Sequence, residues 1–155
     1  ARRREGASAV SPAPVEAGYS GTPLAGKLGL ADGQHVLFLD LPDSLGDLAG
    51  ARSFAHVDLA GWAALRGAAD FDFVHGFTAS RATLDDGAPR LRGAIVPDGM
   101  IWISWPKKAS KVATDIDENV LREVLLPMGL VDVKVAAIDA TWSGLKFVVR
   151  KQLRQ

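Results

Sequence analysis

Three apolar runs decide what this chain can become: His35–Asp40 (HVLFLD), Phe71–Phe77 (FDFVHGF) and Ile101–Trp105 (IWISW). Each sets β-branched, aromatic or leucine side chains at neighbouring positions, where a strand with one wet face would alternate apolar with polar. Strands of this kind are buried on both sides, and they belong to parallel sheets covered by helices. The segments between them fit that scheme. Arg81–Ile95 reads as a helix, loosened by Gly87 and Pro89. Ile116, Val120, Leu121, Val124, Leu125 and Met128 recur at helical spacing and define one apolar face of another helix. That helix is expected to start near Asp115, with Thr114 as N-cap and Asp117 three residues on, and to stop at Gly129.

Weaker elements fill the rest. Thr22, Pro23 and Gly29 bracket a short helix. Asp40 or Asp43 is expected to end the first strand and cap a second short helix. Phe54–Leu59 reads as a strand, Gly61–Ala69, with Trp62 and Leu65, as a short helix, and Pro97–Gly99 as a tight turn. VDVKVAAI and LKFVVRKQL close the chain, joined by DATWSG, and their proximity favours antiparallel pairing. The fold class expected is α/β and Rossmann-like: a mostly parallel twisted sheet, helices on both faces and a C-terminal antiparallel strand pair.

A chain of 155 residues favours one domain. Residues 1–18, rich in Ala, Ser, Pro and Gly with Arg2, Arg3 and Arg4 at the start, read as a disordered tail, and 19–155 as a single domain. The absence of cysteine excludes disulfides and thiolate chemistry and suits a reducing cytoplasm. No apolar run is long enough for a membrane span. A net charge of zero makes nucleic acid an unlikely partner. Acidic side chains outnumber basic ones before Pro106, and the reverse holds after it.

In open parallel sheets, ligands bind beyond the carboxyl ends of the strands. Trp105–Asp115 should lie on that rim. Lys107, Lys108 and Lys111, with Ser110, Thr114 and a helix N-terminus, form a candidate site for a phosphate or carboxylate; Trp105 is a candidate beside them, its alternative being to pack against the following helix. Asp40, Ser44, Ser80 and Arg81 should face the same rim. A second group is Tyr19, Asp139, Trp142, Ser143 and Lys146, with Asp139 and Lys146 as a conjectural pair. The competing assignments are plain ones: solvated lysines, packing tryptophans, turn residues. His35, His56 and His75 lack metal-ligand spacing, so no metal is expected, and His75 reads as a hydrogen-bonded core residue. No GxGxxG follows the first strand; Pro42, Asp43 and Ser44 stand there instead. Nucleophile-elbow and Walker motifs are also missing, so no catalytic residue is assigned.

The phrase APRLRGAIVPDGMIWISWPK resembles the helix, turn and strand in the second half of class I methyltransferases. That resemblance implies the scaffold; S-adenosylmethionine is conceivable but unsupported by a glycine-rich loop, so no cofactor is expected. YSGTPL, SWPKK, TD, GLVDVKV and WSGLK, in that order, are similar to a family of small bacterial cytoplasmic proteins classed as a domain of unknown function. This second resemblance implies a bacterial source and carries no catalytic assignment. Three functions follow as expectations. The first is a non-catalytic binding or regulatory domain whose lysine rim takes a small anionic ligand or a protein partner. The others are an atypical methyltransferase or other transferase, and a protein-interaction module.

Overall fold

The structure, a computed structural model, describes residues 23–154. The expectations for the tail, for Tyr19 and for Thr22 lie outside the described residues. One six-stranded sheet runs in the order β2-β1-β3-β4-β6-β5. Its strands are β1 His35–Leu39, β2 His56–Ala60, β3 Phe71–Phe77, β4 Ile95–Pro106, β5 Leu130–Ala137 and β6 Trp142–Val149. β2, β1, β3 and β4 are parallel; β6 is antiparallel to both β4 and β5. The α/β, mostly parallel architecture with a C-terminal antiparallel pair is therefore the one the apolar runs demand.

Two helices cover one face: α2, Arg81–Ala94, and α3, Glu118–Leu125. Leu84, Ala88 and Leu91 of α2 and Leu121, Val124 and Leu125 of α3 bury against Leu39, Val74, Ile101 and Ile103. Arg122 of α3 donates from Nε to Asp132 of β5 at 3.0 Å. The other face holds Phe38, Phe73, Phe77 and Trp102 under α1, Leu24–Leu28, and a 3-10 helix, Asp43–Gly50. Trp102 Nε1 donates to the carbonyl of Leu28, fastening α1 to the middle of β4.

Several local expectations need correction. α3 starts three residues later than Thr114 suggests. Asp117 is the N-cap and accepts from Val120 N, because Thr114 is already engaged: its Oγ1 donates to Ala79 O and accepts from Ile116 N. Gly129, at φ 84°, does end the segment, after a 3-10 turn at Leu126–Met128. Pro97–Gly99 is no turn between elements. It bulges within β4, where pairing passes from Phe71↔Ile95 to Phe73↔Met100. Gly61–Ala69 holds only a three-residue 3-10 helix, Trp62–Ala64, since Trp62 drops into the core instead of continuing a helix. The 3-10 helix at Asp43 follows Pro42 with no side-chain cap. Trp142 and Ser143 are not connector residues but open β6, opposite Pro106 and Trp105.

Candidate functional site

The sheet order reverses between β1 and β3: the chain moves from β1 out to β2, then returns past β1 to β3 and on to β4. Loops on either side of such a switch point diverge and leave a crevice at the carboxyl ends. Four segments meet along this rim: Asp40–Asp43 after β1, Gly61 after β2, Thr78–Arg81 after β3, and Lys107–Asp115 after β4. The β5–β6 turn joins them, because Lys107 N donates to Thr141 O at 2.8 Å.

Among the described residues a cleft of about 400 Å³ lies on this rim beyond β1 and β2, lined by Asp40, Leu41, Pro42, Asp43, Gly46, Leu59, Ala60 and Gly61. Asp40 is exposed and holds a left-handed backbone, φ 54°, a conformation aspartate tolerates better than most residues. Its N–H donates to Ala60 O at 2.8 Å, fixing the mouth of the cleft. Asp40 was legible as a rim residue. Asp43 lies within the Asp40–Ser44 segment expected on the rim, though it was not singled out there; Leu59 and Gly61 were missed as lining the same cleft. An Asp-Leu-Pro-Asp word after a buried strand was the one available signal; that Leu59 and Gly61 face it depends on β2 pairing with β1. Ser44 is exposed on the neighbouring 3-10 helix and is absent from the cleft lining.

The lysine segment stands two strands away, about 10 Å from the end of β1 at the usual interstrand spacing. Lys108 and Lys111 are exposed and Lys107 is half-buried. Among the described residues none of the three pairs with a carboxylate. The polar groups around them are committed elsewhere. Ser110 Oγ donates to Lys107 O and accepts from Val112 N, and Lys111 closes the turn at φ 62°. Trp105 is buried in the core under α3 and offers no exposed platform.

Neither nearby helix presents a vacant N-terminus. Ser80 Oγ accepts from Thr83 N, and the Asp115 carboxylate accepts from Arg81 N at 2.6 Å. The chain's own carboxylate thus sits where a bound anion would meet α2. Arg81 is engaged with Asp85 and Glu123. Replacing Asp115 with alanine should cost about 1 kcal/mol, the usual loss for a cap. Thermal melts should show a midpoint about 2–4 °C lower; an unchanged midpoint would mean the contact carries no stability.

The second group is divided. The Asp139 carboxylate accepts from Thr141 N and Trp142 N, both at 2.8 Å, and shapes the β5–β6 turn. Trp142 packs edge-on against Phe77 at 5.3 Å. Ser143 pairs with Trp105 in register, at the root of the lysine segment. Lys146 lies deeper, opposite Trp102 and Lys134, so the conjectured Asp139–Lys146 pair is replaced by a lysine–lysine neighbourhood.

His75 is fully buried. Its Nε2 hydrogen-bonds Ser104 Oγ at 2.7 Å, while Nδ1 has no partner among the described residues. It stacks on Phe77 at 4.2 Å, and burial pushes its pKa from 6.5 down to about 3. This is the core histidine expected from the sequence, below the rim and out of reach of solvent.

The fold and rim place the chain in a structural class: the small methyltransferase-like Rossmann fold. Magnesium protoporphyrin IX methyltransferase (ChlM) from Synechocystis PCC 6803 with bound SAM superposes with a TM-score of 0.57 at 15% identity, over 81% of this chain and 74% of that one. A LepI variant in complex with SAH and a substrate analogue gives 0.53 at 9% identity, over 83% and 47%. A possible exported protein from Bordetella parapertussis gives 0.52 at 11%, over 82% and 65%. The chain thus spans less than half of LepI. At these identities the likeness is one of fold. No protein-family profile and no curated protein sequence matches the chain, and no described helix is long and apolar enough to cross a membrane.

Proposed function

We propose that this chain binds an S-adenosyl nucleoside in the Asp40–Gly61 cleft and serves as an atypical member of the methyltransferase-like class. The observation that carries this reading is the cleft itself: two carboxylates, Asp40 and Asp43, stand beside Leu41 and Leu59 at the carboxyl ends of β1 and β2. Carboxylates accept hydrogen bonds from ribose hydroxyls and favour a sulfonium cation; the leucines suit a purine face. Two of the similar structures are described with SAM or SAH bound, which supports the choice of nucleoside.

The residues present fit only part of that ligand. Pro42 has no N–H, and the Asp40 N–H is spent on Ala60 O, so this loop offers the methionyl carboxylate few backbone donors. The nucleoside and sulfonium would therefore carry the affinity. When bound, the cofactor would supply a transferable methyl group; Asp40 and Asp43 would orient it.

Calorimetry with S-adenosylmethionine, which carries the sulfonium, tests the reading. A hydrogen bond to a charged group contributes about 1.5–3 kcal/mol, so Asp40→Ala should weaken binding by about tenfold or more. The Lys107→Ala, Lys108→Ala, Lys111→Ala triple variant should bind as the parent does. Absence of saturable heat from the parent protein at millimolar ligand would remove the proposal.

A second reading keeps the chain as a non-catalytic binding domain for a small anion or an acidic protein surface. It rests on the three rim lysines, which have no carboxylate partner among the described residues. Thermal-shift screening with phosphorylated metabolites addresses it: stabilisation of the parent but not of the triple lysine variant supports the rim, and equal responses exclude it.

A further inference from the structure

On the α1 face, away from the cleft, three more lysines converge. Lys134 of β5 and Lys146 of β6 are direct cross-strand partners. Cβ atoms of opposed residues lie about 5 Å apart, and like charges placed so destabilise a sheet. The third, Lys27 of α1, reaches across to donate from Nζ to Ala137 O at 3.0 Å, while Lys134 Nζ donates back to Lys27 O at 3.0 Å. These two bonds bring α1 against β5, and Lys146 is the cross-strand neighbour of Lys134.

The pairing is produced by a local irregularity. β5 pairs Asp132 with Phe147 and then Lys134 with Lys146, so Val133 is an extra residue and Lys134 takes the position it would have held. Without that bulge an uncharged valine would oppose Lys146. Val133 is instead left half-exposed at 52%. The chain gives up regular pairing at Val133 and gains a repulsive lysine pair.

The lysines also lack compensation. Among the described residues no carboxylate pairs with Lys27, Lys134 or Lys146, and Lys146 has no hydrogen-bond acceptor. Burial first, and then the Lys134 charge, hold the Lys146 ammonium below its ordinary pKa. Trp102, opposite Lys146 on β4, is uncharged and directs its own N–H to Leu28 O. A bound anion would relieve both burdens at once.

We propose that Lys27, Lys134 and Lys146 form a binding site for a phosphoryl group of a small soluble molecule, separate from both the nucleoside cleft and the rim lysines. Lysine ammonium groups act as point charges with several rotatable donors, and three of them suit the several oxygens of a phosphoryl group better than a single carboxylate.

Titration with inorganic pyrophosphate tests this, using protein already carrying Lys107→Ala, Lys108→Ala and Lys111→Ala so that the rim does not contribute. Saturable binding is expected in that background. Adding Lys134→Met and Lys146→Met should weaken it about tenfold or more, whereas Lys146→Arg, which keeps the charge, should stay within about threefold of the background. The proposal is overturned by unchanged affinity in the double methionine variant or by no saturation at about 10 mM pyrophosphate. A lower melting temperature with unchanged affinity would overturn it too, by showing that the lysines only fasten α1 to the sheet. Equal losses with Arg and Met would do so by showing that charge is not what binds.

Discussion

Replacing Trp62 with alanine should destabilise the protein by about 3–5 kcal/mol, the range for deleting a large buried aromatic. Trp62 belongs to the short β2–β3 connector, yet it is 5% exposed. Its indole fills the space between β3 and α2. A methyl group on Gly76 would come within 2.5 Å of the ring, and one on Gly87 within 2.7 Å. The indole Nε1 donates to Phe77 O at 2.9 Å. Alanine would leave a cavity and a carbonyl without its donor. Domains of this size are stable by about 5–15 kcal/mol, so the loss takes a large share. Urea denaturation should show the midpoint falling by about 2 M at ordinary m-values.

The same geometry yields a coupled test. Gly76→Ala alone should cost about 1–3 kcal/mol through overpacking. In the Trp62→Ala background the added methyl meets empty space, so its cost should fall close to zero. Additive losses in that double-mutant cycle would show that the ring and the glycine do not constrain each other.

The second large effect is a loss of stability in mild acid, set by His75. Its folded pKa of about 3 lies below the unfolded value of 6.5. Between those values the unfolded chain binds a proton that the folded chain refuses. Stability from this group is complete above pH 6.5 and falls as pH drops toward 3, by about 1.4 kcal/mol per pH unit. From pH 6.5 to 5 the expected loss is about 2 kcal/mol. The stacking of the ring on Phe77, inside a shell of Phe38, Phe73 and Trp102, leaves no counter-charge to stabilise an imidazolium. His75→Phe should have lower stability at neutral pH, because Ser104 Oγ loses its partner, and a flatter profile between about pH 6.5 and 5. Equal slopes for the two proteins would assign the acid sensitivity to other groups.

Periodicity made the strands legible, and it did so best where burial is complete. Phe71–Phe77 coincides with β3 because its run of apolar side chains suits a sheet interior. Boundaries set by competing hydrogen bonds were less legible. Thr114 has the chemistry of an N-cap, but Ala79 O, distant in sequence, claims its hydroxyl, and Asp117 caps α3 instead. Trp62 has the look of a helical residue; two glycines far along the chain give its ring somewhere better to go. Trp105 shows the same limit: beside three lysines it is a candidate contact for a ligand, with packing against the next helix as the alternative, and the structure takes the alternative.

The sequence by itself determined the parallel sheet, its covering helices and the antiparallel finish, because burial on both faces leaves its mark on every position of a strand. It also determined that no glycine-rich phosphate loop follows β1. What the tertiary structure alone decided was adjacency. Asp40 and Asp43 share a cleft with Leu59 and Gly61 because β2 pairs beside β1. Asp115 occupies the head of α2 because β3 and β4 end side by side. Lys134 stands opposite Lys146 because one residue bulges from β5. Contacts of this kind depend on register between segments tens of residues apart, and hydrophobic periodicity within a segment carries no information about it.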